Sequence, residues 1–361
     1  MSFVPNRSHM KRALALARRG AGRVSPNPMV GAVVVKNGRR VGEGYHLYDK
    51  KDHAEVLALR GAGSEAEKAD LYLTLEPCAH HGRTPPCVER ILESGIRRVA
   101  VATLDPNPQV SGKGIQRLRD AGIEVDIGLC GQMAERLNES FFHYITEETP
   151  FVRLKLAMTL DGKIATKHGS SKWITGTRSR RIVHRLRYES DSILVGVNTV
   201  LQDDPSLDVR WRRRNTITKV VLDTHLRTPA DARIFDSSDR VVIFCDAAAS
   251  KKRQESLERR ALLISAPVSD QGIELGPVFD ELGKLEITSV LIEGGASVAA
   301  SAVRGGHVNS IALFYGPKLM GGTGLSSLAD LGVQSLDDVA FVKHMRVRRL
   351  GDDFLVEGYL R

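Results

Sequence analysis

The spacing of hydrophobic residues along this chain switches repeatedly between that of a helix and that of a strand. Residues 8–19 carry apolar side chains at helical spacing and predict an amphipathic helix with Ser8 as its N-cap. The apolar face consists of Met10, Ala13, Leu14 and Ala17. Two strands follow, joined at Asn37-Gly38, a dipeptide that favours a tight hairpin turn.

Strands and helices continue to alternate as far as residue 145. After a helix-forming run at 54–59, the pattern predicts strands at 70–75, 97–102 and 123–127, and helices at 87–94, 113–121 and 131–145. A hairpin followed by this alternation predicts a mixed sheet covered by helices, which is a three-layer α/β domain. The polar segment 146–150 is the expected junction, so we predict domains at 1–146 and 147–361.

The second half opens with FVRLKLAMTLDGKIAT, a strand that turns at Asp161-Gly162 into a shorter strand. Further strands are predicted at 219–223, 240–245, 289–293 and 354–360, and helices at 178–191 and after Gly294-Gly295. The pattern assigns no role to the glycine-rich loop 321–324.

Composition and cysteine usage are those of an ordinary globular protein: 361 residues, 42% hydrophobic and 26% charged. Of the four cysteines, Cys130 and Cys245 stand alone without the spacing of a disulfide framework, which favours a reducing cytoplasm. The first apolar run is broken by Arg18 and Arg19, which is not typical of a signal peptide. No segment has the roughly 20 apolar residues that a membrane span needs, so we expect no membrane partner.

A formal net charge of +9 raises the question of nucleic-acid binding. The basic residues are scattered, however, and the densest cluster, Arg210 with 212–214, has only Trp211 as an aromatic neighbour. A solvated surface is the default interpretation of such charge. Phosphorylated small substrates explain the remainder at least as well as RNA, so no nucleic-acid partner is expected.

Four residues between positions 53 and 87 have the chemistry of a catalytic zinc site. His53, Cys78 and Cys87 supply three ligands and leave one coordination position for a water molecule, whose pKa zinc lowers to about 7. Glu55, in the first turn of the predicted helix, is then available to move protons. Cys78 is expected at the point where a strand passes into a helix. A helix N-terminus stabilises a thiolate, which lowers the pKa of the cysteine and prepares it to bind metal.

The spacing of these residues departs from the H-x-E and P-C-x-x-C pattern of zinc-dependent base deaminases. Eight residues, 79–86, separate the two cysteines instead of two. The alternative is a structural zinc site, which would have four protein ligands and no use for Glu55.

Two further positions carry weaker signals. Asn27 lies between two prolines that would hold its amide rigidly at a sheet end, where it can hydrogen-bond a pyrimidine ring; a solvent-facing turn is the alternative. Gly294-Gly295 lets backbone N–H groups approach a phosphate at a helix start, although a plain strand-to-helix turn would look the same. Asp203-Asp204-Pro205 is equally compatible with a turn that has no chemistry.

Both halves resemble one known family. The segment PCAHHGRTPPC resembles the deaminase half of the bacterial bifunctional riboflavin-biosynthesis deaminase/reductase. FVRLKLAMTLDGKIAT, with SSKWITG and RSRRIVHRLRYESD, resembles its reductase half, and the resemblance covers residues 5–361. It implies a cytidine-deaminase-like three-layer domain followed by a dihydrofolate-reductase-like domain. It also implies zinc-dependent deamination of a phosphoribosylated diaminopyrimidinone, NADPH-dependent reduction of the ribosyl group of the product to ribityl phosphate, and a homo-oligomer.

The resemblance also implies binding roles for individual positions. For the deaminase substrate these are Asn27, His80 and Arg83. For the reductase substrate they are Ser171, Arg187, Leu207, Arg210 and Glu293. For the nicotinamide cofactor they are Ala157, Trp173, Thr199, Asp203, Thr224, Gly295, Ala296, Ser297, Val298, Ala299, Ala300 and Ser301.

Two alternatives belong to other classes of protein. A nucleic-acid base deaminase with a basic RNA-binding C-terminal half predicts salt-dependent RNA affinity and no nicotinamide binding. A non-catalytic, zinc-stabilised binding protein predicts four protein ligands and no turnover.

Overall fold

The computed structural model of the chain describes residues 4–48, 52–79, 86–108, 110–211 and 216–360. The chain divides into two compact units, Met1–Glu148 and Thr149–Arg361. None of the helices within the described ranges is both long enough and apolar enough to cross a membrane.

The described part of the N-terminal unit contains a five-stranded sheet of strand order β2-β1-β3-β4-β5. The strands are β1 Gly31–Lys36, β2 Arg39–Tyr45, β3 Asp70–Leu73, β4 Arg98–Val101 and β5 Glu124–Ile127. The helices are α1 Arg7–Ala17, α2 Ala54–Ala62, α3 Cys87–Glu93, α4 Lys113–Asp120, α5 Gly131–Leu137 and α6 Glu139–Glu147. Strand β1 is antiparallel to β2 and β3, whereas β3, β4 and β5 are mutually parallel.

Alternating side chains of β1 divide the core of this unit into two layers. Ala32 and Val34 pack with residues of α2, α3 and α4, while Val33 and Val35 pack with residues of α1 and α5. Because successive strand residues point to opposite faces, both faces of the sheet are covered by helices. The predicted three-layer architecture is therefore confirmed, as is the hairpin at Asn37-Gly38.

Two local predictions in this unit are wrong. The N-cap of α1 is Asn6, whose side chain accepts the Ser8 N–H at 2.8 Å, so the helix begins before Ser8. The predicted helix 131–145 is two helices, interrupted at Asn138. The Asn138 side chain, 2% exposed, accepts the Met29 N–H at 2.7 Å and donates to the Met29 carbonyl at 2.9 Å. An Asn amide that pairs with a distant backbone in this way competes with helix continuation.

The described part of the C-terminal unit is built on a nine-stranded sheet of order β11-β10-β9-β8-β14-β6-β15-β18-β17. Its strands are β6 Phe151–Thr159, β8 Ser192–Gly196, β9 Thr218–Leu222, β10 Arg240–Cys245, β11 Leu262–Ser265, β14 Ser289–Ile292, β15 Ser310–Gly316, β17 Lys343–Leu350 and β18 Asp353–Tyr359. Short pairs are formed by β7 Lys163–Ala165 with β16 Leu325–Ser326, and by β12 Val268–Ser269 with β13 Gly272–Ile273. The helices are α7 Thr177–Glu189, α8 Val197–Asp203, α9 Lys251–Leu257, α10 Leu275–Lys284 and α11 Ala296–Arg304.

Seven strands of this sheet, from β11 to β15 in sheet order, are parallel, and the β15-β18-β17 edge is antiparallel. The central strands β8 and β14 are buried along their whole length, as expected for parallel strands covered on both faces. Since β8, β14 and β6 are adjacent and parallel, the segments that follow them meet at one edge of the sheet.

Candidate active sites

Three side chains of the N-terminal unit converge with the geometry of a metal site. Among the described residues, the ligand atoms of His53, Cys78 and Cys87 all lie within 4.8 Å of one another. His53 Nδ1 is 3.0 Å from Cys87 Sγ and 3.8 Å from Cys78 Sγ. Tetrahedral zinc, with bonds of about 2.0 Å to nitrogen and 2.3 Å to sulfur, separates its ligand atoms by roughly 3.5 Å. The cluster therefore fits a single zinc ion with three protein ligands.

Helix starts position two of these ligands. His53 is the N-cap of α2, and Cys87 is the first residue of α3. The expectation that Cys78 lies where a strand passes directly into a helix is wrong, because the described residue after it, Ala79, is not helical, whereas the helix predicted at 87–94 is confirmed as α3. Cys78 nevertheless accepts the Cys87 N–H at 3.3 Å, so its sulfur lies at a helix start as expected.

The electrostatics of the two thiols also favour a bound cation. Hydrogen bonding from the Cys87 side chain, from His53 and from the Cys87 N–H lowers the pKa of Cys78 to about 4, against the opposing effect of burial. The adjacent Cys78 sulfur and burial raise the pKa of the Cys87 thiol. Two neighbouring thiolates repel each other, and a divalent ion removes that repulsion.

Glu55 lies in the first turn of α2 with its carboxyl group buried, 3% exposed. Its Oε2 has no hydrogen-bond partner among the described residues. Burial raises the pKa of this carboxyl, while the nearby His53 opposes the shift. Glu55 is not part of the three-ligand cluster, so its carboxylate is available for proton transfer.

Asn27 is linked to the metal cluster through His46, a residue that the sequence analysis missed. Asn27 Nδ2 lies 3.2 Å from His46 Nε2, and the rings of His46 and His53 are 5.5 Å apart, edge to face. His46 is 7% exposed, and burial lowers its pKa. Of the other predicted deaminase contacts, His80 and Arg83 lie outside the described residues.

A sequence signal for His46 exists in the two glycines that precede it. A Cβ at Gly42 or Gly44 would collide with the carbonyl oxygens of Ala58 and Ala54 in α2. Only glycine allows α2 to lie directly on β2 in this way. This close packing brings His46, which follows β2, beside His53, the N-cap of α2.

In the C-terminal unit, a buried ionic network follows β14. Glu293 is 8% exposed and accepts two hydrogen bonds from Arg187, at 2.5 and 3.0 Å. Lys155 Nζ lies 3.4 Å from the same carboxylate. Burial alone raises the pKa of Glu293, but Arg187 and Lys155 hold it at about 2. The structure thus brings together two predicted substrate contacts, Arg187 and Glu293.

Lys155 was also missed by the sequence analysis. Its side chain lies in β6 among alternating buried positions, on the same face as Arg153 and Ala157. A lysine two residues before a predicted cofactor contact, in a central strand whose alternate positions are apolar, is the signal that could have identified it.

The segment that follows β6 meets the end of α8. Ser171 Oγ donates to Asp203 Oδ1 at 3.1 Å, so a predicted substrate contact and a predicted cofactor contact touch. Trp173 is 62% exposed and stacks with the Arg180 guanidinium at 4.4 Å, so it is not a core residue.

The predicted contacts Leu207 and Arg210 lie in one loop beside Arg187. The carbonyl of Asp208, between them, accepts a hydrogen bond from Arg187 Nη1 at 3.0 Å. Leu207 is buried, 3% exposed, whereas Arg210 is exposed.

The glycine turn after Glu293 has the predicted backbone. Gly294 and Gly295 have φ of 104° and 87°, which favour glycine, and Gly295 is the N-cap of α11. A Cβ at Gly295 would lie 3.8 Å from the hydroxyl of Thr199, which brings these predicted cofactor contacts together.

The remaining predicted cofactor contacts divide into exposed and buried positions. Ser297 is exposed and Val298 is half-buried, whereas Ala299 and Ala300 are fully buried, so their side chains serve helix packing. The remaining positions are Ala157 in β6, Thr224 after β9, Ala296 at the start of α11, and Ser301, whose hydroxyl lies 3.4 Å from Arg304.

Two family models match the two halves of the chain. Residues 5–103 match the cytidine and deoxycytidylate deaminase zinc-binding region, and residues 150–356 match the RibD C-terminal domain. The chain is 46% identical to the riboflavin biosynthesis protein RibD of Aquifex aeolicus, covering 97% of both chains. It is 38% identical to RibD of Escherichia coli, covering 96% of both.

Solved structures show the same likeness over the whole chain. RibD of Acinetobacter baumannii, form 1, superposes with a TM-score of 0.89 at 36% identity, covering 98% of both chains. A deaminase/reductase from Thermotoga maritima gives 0.87 at 38% identity and the same coverage. The C-terminal match leaves the alternative of an RNA-binding half without support. The chain belongs to the RibD family of riboflavin biosynthesis proteins, bifunctional enzymes that join a zinc-dependent deaminase to a reductase.

Proposed function

We propose that the N-terminal unit deaminates 2,5-diamino-6-(5-phosphoribosylamino)pyrimidin-4-one, and that the C-terminal unit reduces the ribosyl group of the resulting aminouracil with NADPH. The observation that carries the proposal is the His53, Cys78 and Cys87 cluster beside the buried carboxylate of Glu55. The Thermotoga maritima relative is described as a diaminohydroxyphosphoribosylaminopyrimidine deaminase/5-amino-6-(5-phosphoribosylamino)uracil reductase, which supports these substrates.

In the deamination step, His53, Cys78 and Cys87 would hold zinc, which when bound would lower the pKa of the attacking water. Glu55 accepts the proton of the attacking water and delivers protons to the ring nitrogen and the departing ammonia. Because Glu55 is buried, bulk water does not compete for its carboxyl group. Its Oε2, which has no hydrogen-bond partner among the described residues, can accept that proton. Asn27 and His46 orient the pyrimidine ring at the edge of the cluster.

In the reduction step, the chain holds substrate and cofactor at the shared carboxyl edge of β6, β8 and β14. Arg187, Glu293 and Lys155 form a fixed polar surface for the phosphoribosyl substrate, together with Arg210. The Gly294-Gly295 turn, Thr199 and the first N–H groups of α11 receive the cofactor phosphates. NADPH supplies the hydride, and the chain supplies orientation.

The proposal is tested by following deamination and the reduced-nicotinamide absorbance with wild-type protein and the Glu55→Gln variant. We expect the wild type to consume NADPH starting from the diaminopyrimidinone. Glu55→Gln should retain zinc, lose deamination by about 10²- to 10⁴-fold, and still reduce the aminouracil. A parallel loss of zinc would contradict the role of Glu55 as a proton carrier, and a wild type that leaves NADPH unoxidised would contradict the reductase assignment.

We also infer that the chain forms a homo-oligomer through the edge strand β17. Most of this strand is exposed, and the exposed apolar side chains Phe341, Met345 and Val347 lie in or beside it. An unpaired sheet edge next to apolar side chains favours pairing with a second copy. Sedimentation analysis should show an oligomer that Val347→Asp weakens; a monomeric wild type would refute this inference.

A further inference from the structure

The largest fully buried polar side chain among the described residues is that of Lys219, in β9. Its Nζ lies 2.8 Å from Ser237 Oγ and 3.1 Å from the Ile234 carbonyl. Two carboxylates complete its surroundings, Asp208 at 3.4 Å and Asp239 at 3.5 Å. The neighbours of Lys219 in the strand, Val220 and Val221, are fully buried, so an apolar residue would suit this position if packing were its only purpose.

One side of this cluster is scaffold. Asp239 accepts the Ile217 N–H at 3.1 Å and a hydrogen bond from Ser237 at 2.8 Å, which fixes the approach to β9 and the segment before β10. Ile217 and Asp239 directly precede the parallel strands β9 and β10, whereas the proposed reductase site lies at the carboxyl edge of the sheet.

The other side of the cluster is the loop of the proposed reductase site. Asp208 lies between Leu207 and Arg210, both expected to contact the reductase substrate. Its carbonyl accepts a hydrogen bond from Arg187, and its second carboxylate oxygen is 3.9 Å from Arg210 Nη2. Asp208 is thus the residue through which Lys219 reaches both arginines.

The backbone of this loop needs such an anchor. Leu207 has φ of 52°, which is unfavourable for a residue with a branched side chain and persists only when the surroundings hold it. The Lys219 ammonium is fully buried and the Asp208 side chain is 37% exposed. Such an ion pair contributes little net stability compared with apolar packing, but it can fix one arrangement among several.

We propose that Lys219 is a positioning residue of the reductase. It holds Asp208, and through Asp208 it places Arg187 and Arg210 for the phosphoribosyl group of the substrate. Lys219 does not touch the substrate, so removing it should affect substrate binding more than the hydride step. The proposal rests on the proposed reductase function.

The test compares Lys219→Met with Asp208→Asn and Asp239→Asn in the full-length zinc-loaded protein. The two aspartates lie at nearly the same distance from Nζ, 3.4 Å for Asp208 on the site side and 3.5 Å for Asp239 on the scaffold side, with side chains 37% and 17% exposed respectively. We expect Lys219→Met and Asp208→Asn to raise the KM for the aminouracil about tenfold or more, with kcat and the KM for NADPH changed less than about threefold. Asp239→Asn should lower the melting temperature but leave the KM for the aminouracil within about twofold.

An unchanged KM in folded Lys219→Met, or equal KM changes in Asp208→Asn and Asp239→Asn, would overturn the proposal. If Lys219→Met does not fold, the aspartate pair decides by itself. A wild type that does not oxidise NADPH with the aminouracil would overturn the proposed reductase function together with this inference, whereas an active wild type without the KM difference would overturn this inference alone.

Discussion

Replacing Glu293 by Gln should destabilise the C-terminal unit by an amount that depends on pH. The carboxylate holds two buried cations, Arg187 and Lys155, and the amide cannot neutralise either. The network lowers the pKa of Glu293 from 4.5 to about 2, a difference that corresponds to roughly 3 kcal/mol. Removing one partner of a buried ion pair costs about 3 to 5 kcal/mol in other proteins. Both estimates place the loss near 3 kcal/mol at neutral pH.

The unfolding of this unit can be followed separately from that of the deaminase. Both tryptophans of the chain, Trp173 and Trp211, lie within Thr149–Arg361, so tryptophan fluorescence in urea reports on that unit. Glu357→Gln is the matched control, because its ion pair with Arg348 is partly exposed and should contribute at most about 1 kcal/mol.

The pH dependence follows from the direction of the shift. Because the folded-state pKa of Glu293 is depressed, its stabilising effect is fully present above the unfolded-state value of 4.5 and is lost as pH falls toward 2. The difference between wild type and Glu293→Gln should be constant above pH ~5.5 and shrink by about 1.4 kcal/mol per unit below pH ~4. A difference that stays constant through this range would refute the assignment of the buried ionised carboxylate.

Three further predictions follow from the two sites. Cys87→Ser should lose zinc, measured by metal analysis of the purified protein, because a hydroxyl stays protonated near neutral pH; full zinc occupancy would mean that another residue completes the site. Gly295→Val, at φ of 87°, should weaken NADPH binding about tenfold or more in a fluorescence titration while deamination persists, and an unchanged affinity would place the cofactor elsewhere. Separate chains covering 1–148 and 149–361 should deaminate and reduce respectively, and loss of both activities on separation would indicate an obligate assembly.

The sequence was sufficient for those features that local patterns determine. The 3.6-residue and two-residue periodicities predicted most helices and strands, and Asn37-Gly38 predicted its hairpin. The arrangement of His53 and Glu55 at a helix start follows from local sequence too, because one residue caps the helix and the other lies in its first turn.

Features that depend on distant parts of the chain could not be predicted. His46 reaches the zinc cluster only because glycines of β2 admit α2, and Lys155 acquires a role only when β6 is placed beside β14.

The pairing of Asn138 with Met29 also bears on how the enzyme is made. These two residues are 109 positions apart, and a nascent chain leaves the ribosome from its N-terminus. Met29 therefore emerges long before the side-chain amide of Asn138 that fixes its backbone has been synthesised. A chain that ends before residue 138 would contain all three zinc ligands but would lack the amide that fixes the backbone of Met29, so metal ligation and completion of this loop depend on different parts of the chain.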